Sequence, residues 1–157
     1  MALVLVRHAK AGSRSAWTQD DDIRPLTPAG VRQAEALVDR LAGGPVERIL
    51  SSRFVRCVQT VAPLAERLDL EVEHHPALAE EAALDDTEAL LAELAGTEAV
   101  LCTHGNVMSA LLDRLRRRGV KLGGRRHSGG GGKGSFWRLE GNGGDGWSRA
   151  TYEPPPS

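Results

Sequence analysis

The sequence contains few cysteines, few aromatic residues and no long apolar run. Only two of its 157 residues are cysteine and 4 % are aromatic, while basic and acidic residues nearly balance at 20 and 21. The balanced charge argues against a nucleic-acid partner, and the apolar runs are too short for a membrane span or a signal-peptide core. Cys57 and Cys102 are far apart in the sequence and lack metal-ligand spacing, so we expect two buried thiols in a cytoplasmic protein.

The length and the order of periodic segments predict one α/β domain. A chain of 157 residues buries enough apolar surface to fold without disulfide bonds or a structural metal. Short apolar runs alternate with segments of helical periodicity, which is typical of parallel βαβ units. We therefore predict a three-layer α-β-α sandwich around a mostly parallel sheet with an antiparallel edge, covering residues 1–152, followed by a proline-rich tail at 153–157.

The first predicted strand ends in two cationic side chains. Residues 3–6 form an apolar run that is typical of a strand buried on both faces, and Arg7 and His8 follow it directly. Ligands of α/β proteins bind at the carboxyl ends of parallel strands, where helix N-termini point inward. Either the two side chains act on an anion there, or they only cap the strand in solvent.

Two further strands also lead into helices through polar residues. A strand at 46–50 precedes a helix that carries Arg56 in its first turn, and a strand at 98–103 ends at His104. A cation is unfavourable near a helix N-terminus. Arg56 therefore needs an anionic partner, either a carboxylate or a bound phosphate.

Parallel strand order would bring four side chains to one edge of the sheet: Arg7, His8, Arg56 and His104. Two imidazoles and two guanidiniums without a carboxylate cluster make a poor metal site, so we expect no metal and no cofactor. They suit a tetrahedral dianion, because guanidiniums match phosphoryl oxygens. A neutral histidine attacks phosphorus when a backbone carbonyl holds its other ring nitrogen.

The long polar loop after the first strand contains Arg14, Trp17 and Arg24. Loops of this length often bind ligands. These side chains either line the mouth of a pocket, or Trp17 anchors the loop while the arginines pair with the three aspartates at 20–22.

A glycine-rich stretch at 129–135 superficially resembles a phosphate-binding loop. It lacks the spacing of that motif, so we predict a flexible linker into a final strand at 135–139. Asn142-Gly143 then predicts a hairpin turn, and a returning strand follows at 147–152.

Three motifs together resemble those of the histidine phosphatase superfamily, which includes the cofactor-dependent phosphoglycerate mutases. In chain order they are Arg7-His8-Ala9, Ser51-Ser52 with Arg56, and Thr103-His104-Gly105-Asn106. The resemblance extends from residue 3 to about residue 139. A longer set of residues in 7–26, together with Lys133-Gly134-Ser135, is similar to the small phosphohistidine-phosphatase-like domains, including those fused to Nudix hydrolases. Ala9 stands where most of the superfamily has glycine, and the insertion that forms the mutase lid is absent.

The resemblance implies a phosphoglycerate mutase-like fold and a two-step phosphoryl transfer without metal. His8 would become phosphorylated while Arg7, Arg56 and His104 hold the phosphoryl oxygens. Glu80 best fits the position of the family's proton donor and Glu81 is a close second; the alternative for either is a surface residue without a catalytic role. Nearby cations are expected to keep His8 neutral.

The predicted substrate-binding residues are Lys10, Arg14, Trp17, Arg24, Glu81, Gly105 and Asn106. The basic members are expected to hold a second phosphate, and Trp17 to stack on a base. The predicted function is a phosphatase for a phosphorylated metabolite or nucleotide, a small substrate rather than a nucleic acid or membrane partner. The alternatives are a protein phosphohistidine phosphatase and a phosphate-binding adaptor without turnover.

Overall fold

The computed structural model describes residues 2–124, 131–141 and 146–156. The strands are β1 (Ala2–Arg7), β2 (Arg48–Ser51), β3 (Val72–His74), β4 (Ala99–Thr103), β5 (Lys121–Gly123), β6 (Phe136–Gly141) and β7 (Trp147–Glu153). The α-helices are α1 (Pro28–Leu41), α2 (Val55–Leu68), α3 (Leu84–Glu93) and α4 (Gly105–Arg117). Single 3-10 turns lie at Asp21–Ile23 and Pro76–Leu78. None of the described helices is both long and apolar enough to cross a membrane.

All seven strands form one mixed sheet in the order β3-β2-β4-β1-β6-β7-β5. The half from β3 to β1 is parallel, β6 runs antiparallel to both β1 and β7, and β5 pairs with β7 in parallel. The predicted α/β sandwich with a mostly parallel sheet is confirmed. Strand β5 is an addition, because its three residues carry too little periodicity to predict a strand.

Alternation along β1 divides the core between the two faces of the sheet. Leu3 and Leu5 pack with buried residues of α3 and α4, while Val4 and Val6 pack with those of α1 and α2. Successive side chains of a strand point to opposite faces, so a continuous apolar run is what a covered central strand requires. Helices therefore cover both sides of β1, and its carboxyl end is the open edge.

Helix α1 begins where capping chemistry predicts. The Thr27 hydroxyl accepts a hydrogen bond from Gly30 N at 3.1 Å, and Pro28 occupies the first helical position. A Cβ atom at position 30 would lie 2.0 Å from the Lys10 carbonyl oxygen, so only glycine lets α1 approach this loop.

The C-terminal region differs in detail from the prediction. Strand β7 continues to Glu153, one residue past the predicted domain boundary. Arg40 of α1 donates to Glu153 Oε2 at 3.0 Å and to the Pro154 carbonyl at 2.8 Å, which holds the start of the predicted tail against the domain. The turn predicted at Asn142-Gly143 lies outside the described residues.

Candidate active site

Two adjacent central strands deliver His8 and His104 to the same edge of the sheet. In the β1–β4 pairing Arg7 lies opposite Thr103, and His8 N donates to the Thr103 carbonyl at 3.1 Å. The two imidazole centroids are 5.5 Å apart, and both side chains are buried. The predicted meeting of the two histidines is thus found in the structure.

The His8 ring is fixed in the orientation that a nucleophile needs. Its Nδ1 lies 2.8 Å from the Ala9 carbonyl oxygen, so a proton on Nδ1 is donated there and Nε2 keeps its lone pair. Burial lowers the pKa of His8 to about 4, assisted by the charges of Arg56, Arg7 and Lys133 and opposed by the bond to Ala9. The ring is therefore neutral near pH 7, and burial rather than the nearby cations is the larger cause.

His104 is positioned by a buried hydroxyl. Its Nε2 lies 2.9 Å from Ser52 Oγ, and its Nδ1 is buried without a hydrogen-bond partner, although Glu80 Oε2 is 3.4 Å away. Burial lowers the pKa of His104 to about 3, with further lowering from the charges of His8 and Arg56. The unpartnered Nδ1 is available to a ligand in the site.

Arg56 is completely buried and has the carboxylate partners that its place in the first turn of α2 required. Its Nη1 donates to the Asp21 carbonyl at 2.8 Å, and its Nη2 lies 3.0 Å from Asp21 Oδ2 and 2.7 Å from Glu80 Oε2. Of the two partners left open by the sequence, the carboxylate is present. These contacts hold the guanidinium in place.

Arg7 lies against the N-terminus of α4, where a side chain would not fit. A Cβ atom at position 105 would be 2.8 Å from Arg7 Cζ, so Gly105 makes room for the guanidinium. Arg7 Nη1 donates to the Gly131 carbonyl at 2.5 Å, whereas Nε is buried without a partner. The free Nε and the helix N-terminus both favour an anion here.

Asp21 is a site residue that the sequence reasoning missed. Besides Arg56 it contacts Arg24 Nε at 3.0 Å and Arg14 Nε at 3.6 Å. Burial raises the pKa of Asp21, but hydrogen bonds from Arg24 and Arg56 outweigh burial and leave it below its usual value. The signal is the mixture of aspartates and arginines in one loop, which fits ion pairs within the loop as well as a ligand-binding loop.

The prediction of a linker at 129–135 is wrong for its described part, which forms a wall of the site. Gly134 N lies 3.1 Å from the carbonyls of both Arg7 and His8, and Arg7 N donates to the Ser135 carbonyl at 2.9 Å. Gly134 has a φ of +87°, which favours glycine. This backbone brings Lys133, a second missed residue, to the site.

One cavity of about 510 Å³ connects most of these groups, although neither Arg56 nor Asp21 lines it. Its lining residues are Arg7, His8, Ala11, Gly12, Ser13, Arg14, Arg24, Glu80, His104, Gly105, Asn106 and Lys133. Asn106 Nδ2 donates to the Glu80 carbonyl at 2.9 Å, which fixes the segment that carries Glu80. Most of the predicted site residues are therefore brought together.

Three predicted substrate-binding residues lie elsewhere. Trp17 does not line the cavity, and its Nε1 donates to the Asp20 carbonyl at 2.8 Å, so it anchors its own loop. Lys10 lines a separate depression beside α1. Glu81 pairs with Arg53 at 2.6 Å on the surface, which leaves Glu80 as the carboxylate of the site.

The arrangement suits a tetrahedral anion. Arginines surround the neutral His8, and their charges exceed those of Asp21 and Glu80. Within the described residues, no group of three or more His, Cys, Asp or Glu side chains could hold a metal ion. The cations at this edge can stabilise phosphoryl charge.

Comparison with known families agrees with this chemistry. Residues 3–85 match the model of the histidine phosphatase superfamily (branch 1). The chain belongs to the histidine phosphatase superfamily. The resemblance of its motifs to that family is thereby confirmed, and the predicted phosphatase agrees with it.

One curated relative is similar to nearly the whole of this histidine phosphatase. An 8-oxo-(d)GTP phosphatase of Mycolicibacterium smegmatis is 38% identical over 163 residues, covering 98% of the chain and 48% of that protein. The chain thus spans about half the length of this curated relative.

Solved structures of phosphatases share the fold of this histidine phosphatase. The structure of the protein histidine phosphatase SixA complexed with tungstate has a TM-score of 0.74 at 22% identity, covering 100% of this chain and 97% of that one. A putative phosphohistidine phosphatase SixA from Nakamurella multipartitia has a TM-score of 0.70 at 27% identity, covering 99% and 95%.

Proposed function

We propose that this histidine phosphatase hydrolyses small phosphomonoesters, either phosphorylated metabolites or nucleotides, through a phosphohistidine on His8 and without a metal ion. The observation that carries the proposal is the hydrogen bond between His8 Nδ1 and the Ala9 carbonyl. It leaves the lone pair of Nε2 free inside a cavity lined by cations.

In the first step His8 Nε2 attacks phosphorus and the bond from phosphorus to the leaving oxygen breaks. Arg7, Arg56 and His104 stabilise the charge on the phosphoryl oxygens as the transition state forms. Of the two candidate proton donors, Glu80 lines the cavity and Glu81 does not. We therefore assign to Glu80 the role of donating a proton to the leaving oxygen. Water then attacks the phosphohistidine, the N–P bond breaks, and inorganic phosphate leaves.

Two classes of substrate are candidates, and a different relative supports each. The relative named as an 8-oxo-(d)GTP phosphatase favours a nucleotide, although the chain corresponds to about half of that protein. The neighbour named as a putative phosphohistidine phosphatase, at 27% identity, favours a phosphohistidine protein as the second candidate.

The test is a phosphatase assay with a chelator present, on nucleotides, sugar phosphates and a phosphohistidine-bearing protein. We expect the wild type to turn over at least one class and to retain labelled phosphate after an alkaline quench, and His8→Ala to lose both properties. His74→Ala is the matched control, because His74 is exposed on β3. Full activity in His8→Ala would overturn the nucleophile, and ligand binding without turnover in the wild type would favour the adaptor.

A further inference from the structure

Lys133 is a cation that faces the cavity without an assigned task. It lines the cavity together with Arg7, Arg14 and Arg24, and its ammonium group forms no hydrogen bond or ion pair with any residue in the described ranges. Burial lowers the pKa of Lys133, and the charges of Arg7, Arg24, Arg14 and Arg56 lower it further. A second negative charge beside Lys133 would relieve this repulsion.

The backbone around Lys133 is held firmly. Its carbonyl accepts a hydrogen bond from Gln33 Nε2 at 3.1 Å, and Gln33 Oε1 accepts one from Lys10 N at 3.0 Å. The next residue, Gly134, bonds to the carbonyls of Arg7 and His8. The backbone of Lys133 is therefore held in place, and the residue after it is hydrogen-bonded to the backbone of His8.

The arginines near Lys133 differ in how firmly carboxylates hold them. Arg24 and Arg56 are buried and paired with Asp21. Arg14 is exposed over 65% of its side chain, and its contacts to Glu80 are long at 3.3 Å. An exposed ion pair of this kind contributes little, so Arg14 can turn to a ligand at small cost.

We propose that Lys133 and Arg14 form a second phosphoryl subsite, so that the preferred substrate is a diphosphate whose terminal phosphoryl group is transferred to His8. This inference rests on the proposed phosphatase function and names a further substrate class for the same site, because the bond that breaks in a diphosphate is a phosphoanhydride and not the ester of a phosphomonoester. The cavity of about 510 Å³ falls in the range of pockets that hold whole ligands, so a single phosphoryl group leaves part of it unfilled. Lys133 thereby takes the role that the sequence suggested for Lys10.

A diphosphate also suits the state of Glu80. His8 Nε2 attacks the terminal phosphorus, the bond to the bridging oxygen breaks, and a monophosphate leaves with the electron pair of that bond. Such an oxyanion is weakly basic and needs little help from a proton donor. This agrees with a Glu80 carboxylate that Arg56 engages at 2.7 Å even when Arg14 turns to the ligand.

The first test compares kcat/KM for a nucleoside diphosphate, inorganic pyrophosphate and the matching nucleoside monophosphate. We expect the wild type to prefer the diphosphates, and Lys133→Gln to lose about tenfold on them but no more than about twofold on the monophosphate. Lys121→Gln is the charge-matched control on the exposed edge strand β5. Equal losses on all three substrates, or no loss on any, would overturn the subsite. Preference for the nucleoside diphosphate over pyrophosphate would add a nucleoside contact to the proposal.

A binding measurement separates failure of the subsite from failure of catalysis. In the His8→Ala background, calorimetry with inorganic pyrophosphate and inorganic phosphate reads the subsite without turnover. Weaker pyrophosphate binding in Lys133→Gln, by about tenfold with phosphate unaffected, would support the subsite even if the wild type hydrolyses nothing. Phosphatase activity combined with Lys133-independent pyrophosphate binding would overturn the subsite and leave the proposed function standing.

Discussion

The Ser52 hydroxyl lies 2.9 Å from Nε2 of His104, and both side chains are buried. Ser52 follows β2 and His104 follows β4, so the bond joins two neighbouring strand ends. It fixes the ring with Nδ1 directed toward Glu80 Oε2 at 3.4 Å. Ser52 does not line the cavity, and it orients His104, which does.

We predict that Ser52→Ala lowers kcat by about tenfold because His104 loses its orientation. It should also cost about 1 kcal/mol of stability, since Ser52 Oγ accepts a bond from Phe54 N at 3.2 Å as well. Steady-state kinetics and urea unfolding measure the two effects. Ser51→Ala is the control, because that buried hydroxyl donates to the Ser52 carbonyl at 2.8 Å and not to His104. Equal kcat losses in both variants would refute the orienting role.

Gly105→Ala is predicted to reduce activity far more than stability. The added Cβ would lie 2.8 Å from Arg7 Cζ, and the end of a flexible guanidinium can move away while the fold persists. We expect kcat/KM to fall by about 100-fold while the free energy of unfolding changes by no more than about 1 kcal/mol. Gly43→Ala serves for comparison, because nothing lies within 4 Å of a Cβ there. Retained activity would show that Arg7 is not needed at its present position.

Asp21→Asn should weaken the hold on Arg56 while keeping the size of the side chain. We expect kcat/KM to fall by about tenfold, because the hydrogen bonds from Arg56 and Arg24 lose their charged acceptor. The neighbouring Asp22→Asn, within the same turn, should behave as the wild type. If the two variants have the same activity, Asp21 does not position Arg56.

Stability should decrease as the pH falls below the ordinary range of histidine. Folding lowers the pKa of His8 to about 4 and that of His104 to about 3, so the unfolded chain binds more protons from about pH 6.5 downward. The stabilisation is complete above about pH 6.5 and is lost progressively toward pH 4, by at least about 2 kcal/mol.

Urea unfolding between pH 7 and pH 4.5 measures this loss. A His8→Asn, His104→Asn double variant should have a flatter profile, while His74→Asn, altered on an exposed strand residue, should follow the wild type. Imidazole resonances in the wild type give a second readout that needs no variant. Titration of the two buried rings near pH 6.5 would contradict the prediction.

The parts of the site that follow strands could be predicted from the sequence. The apolar run before Arg7 and the one before His104 each specify a covered strand, and parallel order then places their carboxyl ends together. The sequence also predicts that Arg56 has an anionic partner, because the helix dipole disfavours a cation in the first turn.

The parts that depend on loops could not be predicted. Asp21 reaches Arg56 across 35 positions, and no local pattern specifies which of three aspartates makes that contact. The approach of Lys133 depends on Gly134 at φ +87° and on its bonds to the first strand, a backbone arrangement that composition alone interprets as a linker. The predictions that Trp17 and Lys10 bind substrate fail for the same reason, because loop conformation decides where these side chains lie.

The pairing of β1 with β4 also bears on how the domain opens. Arg7 faces Thr103 within the backbone ladder, so the spacing of the two imidazoles is set by the innermost strands and not by the surrounding loops. Amide hydrogens of such strands exchange only when the whole domain unfolds, whereas loop amides exchange through local excursions. Fluctuations at Arg14 or Lys133 can therefore change which molecule enters while His8 and His104 remain side by side.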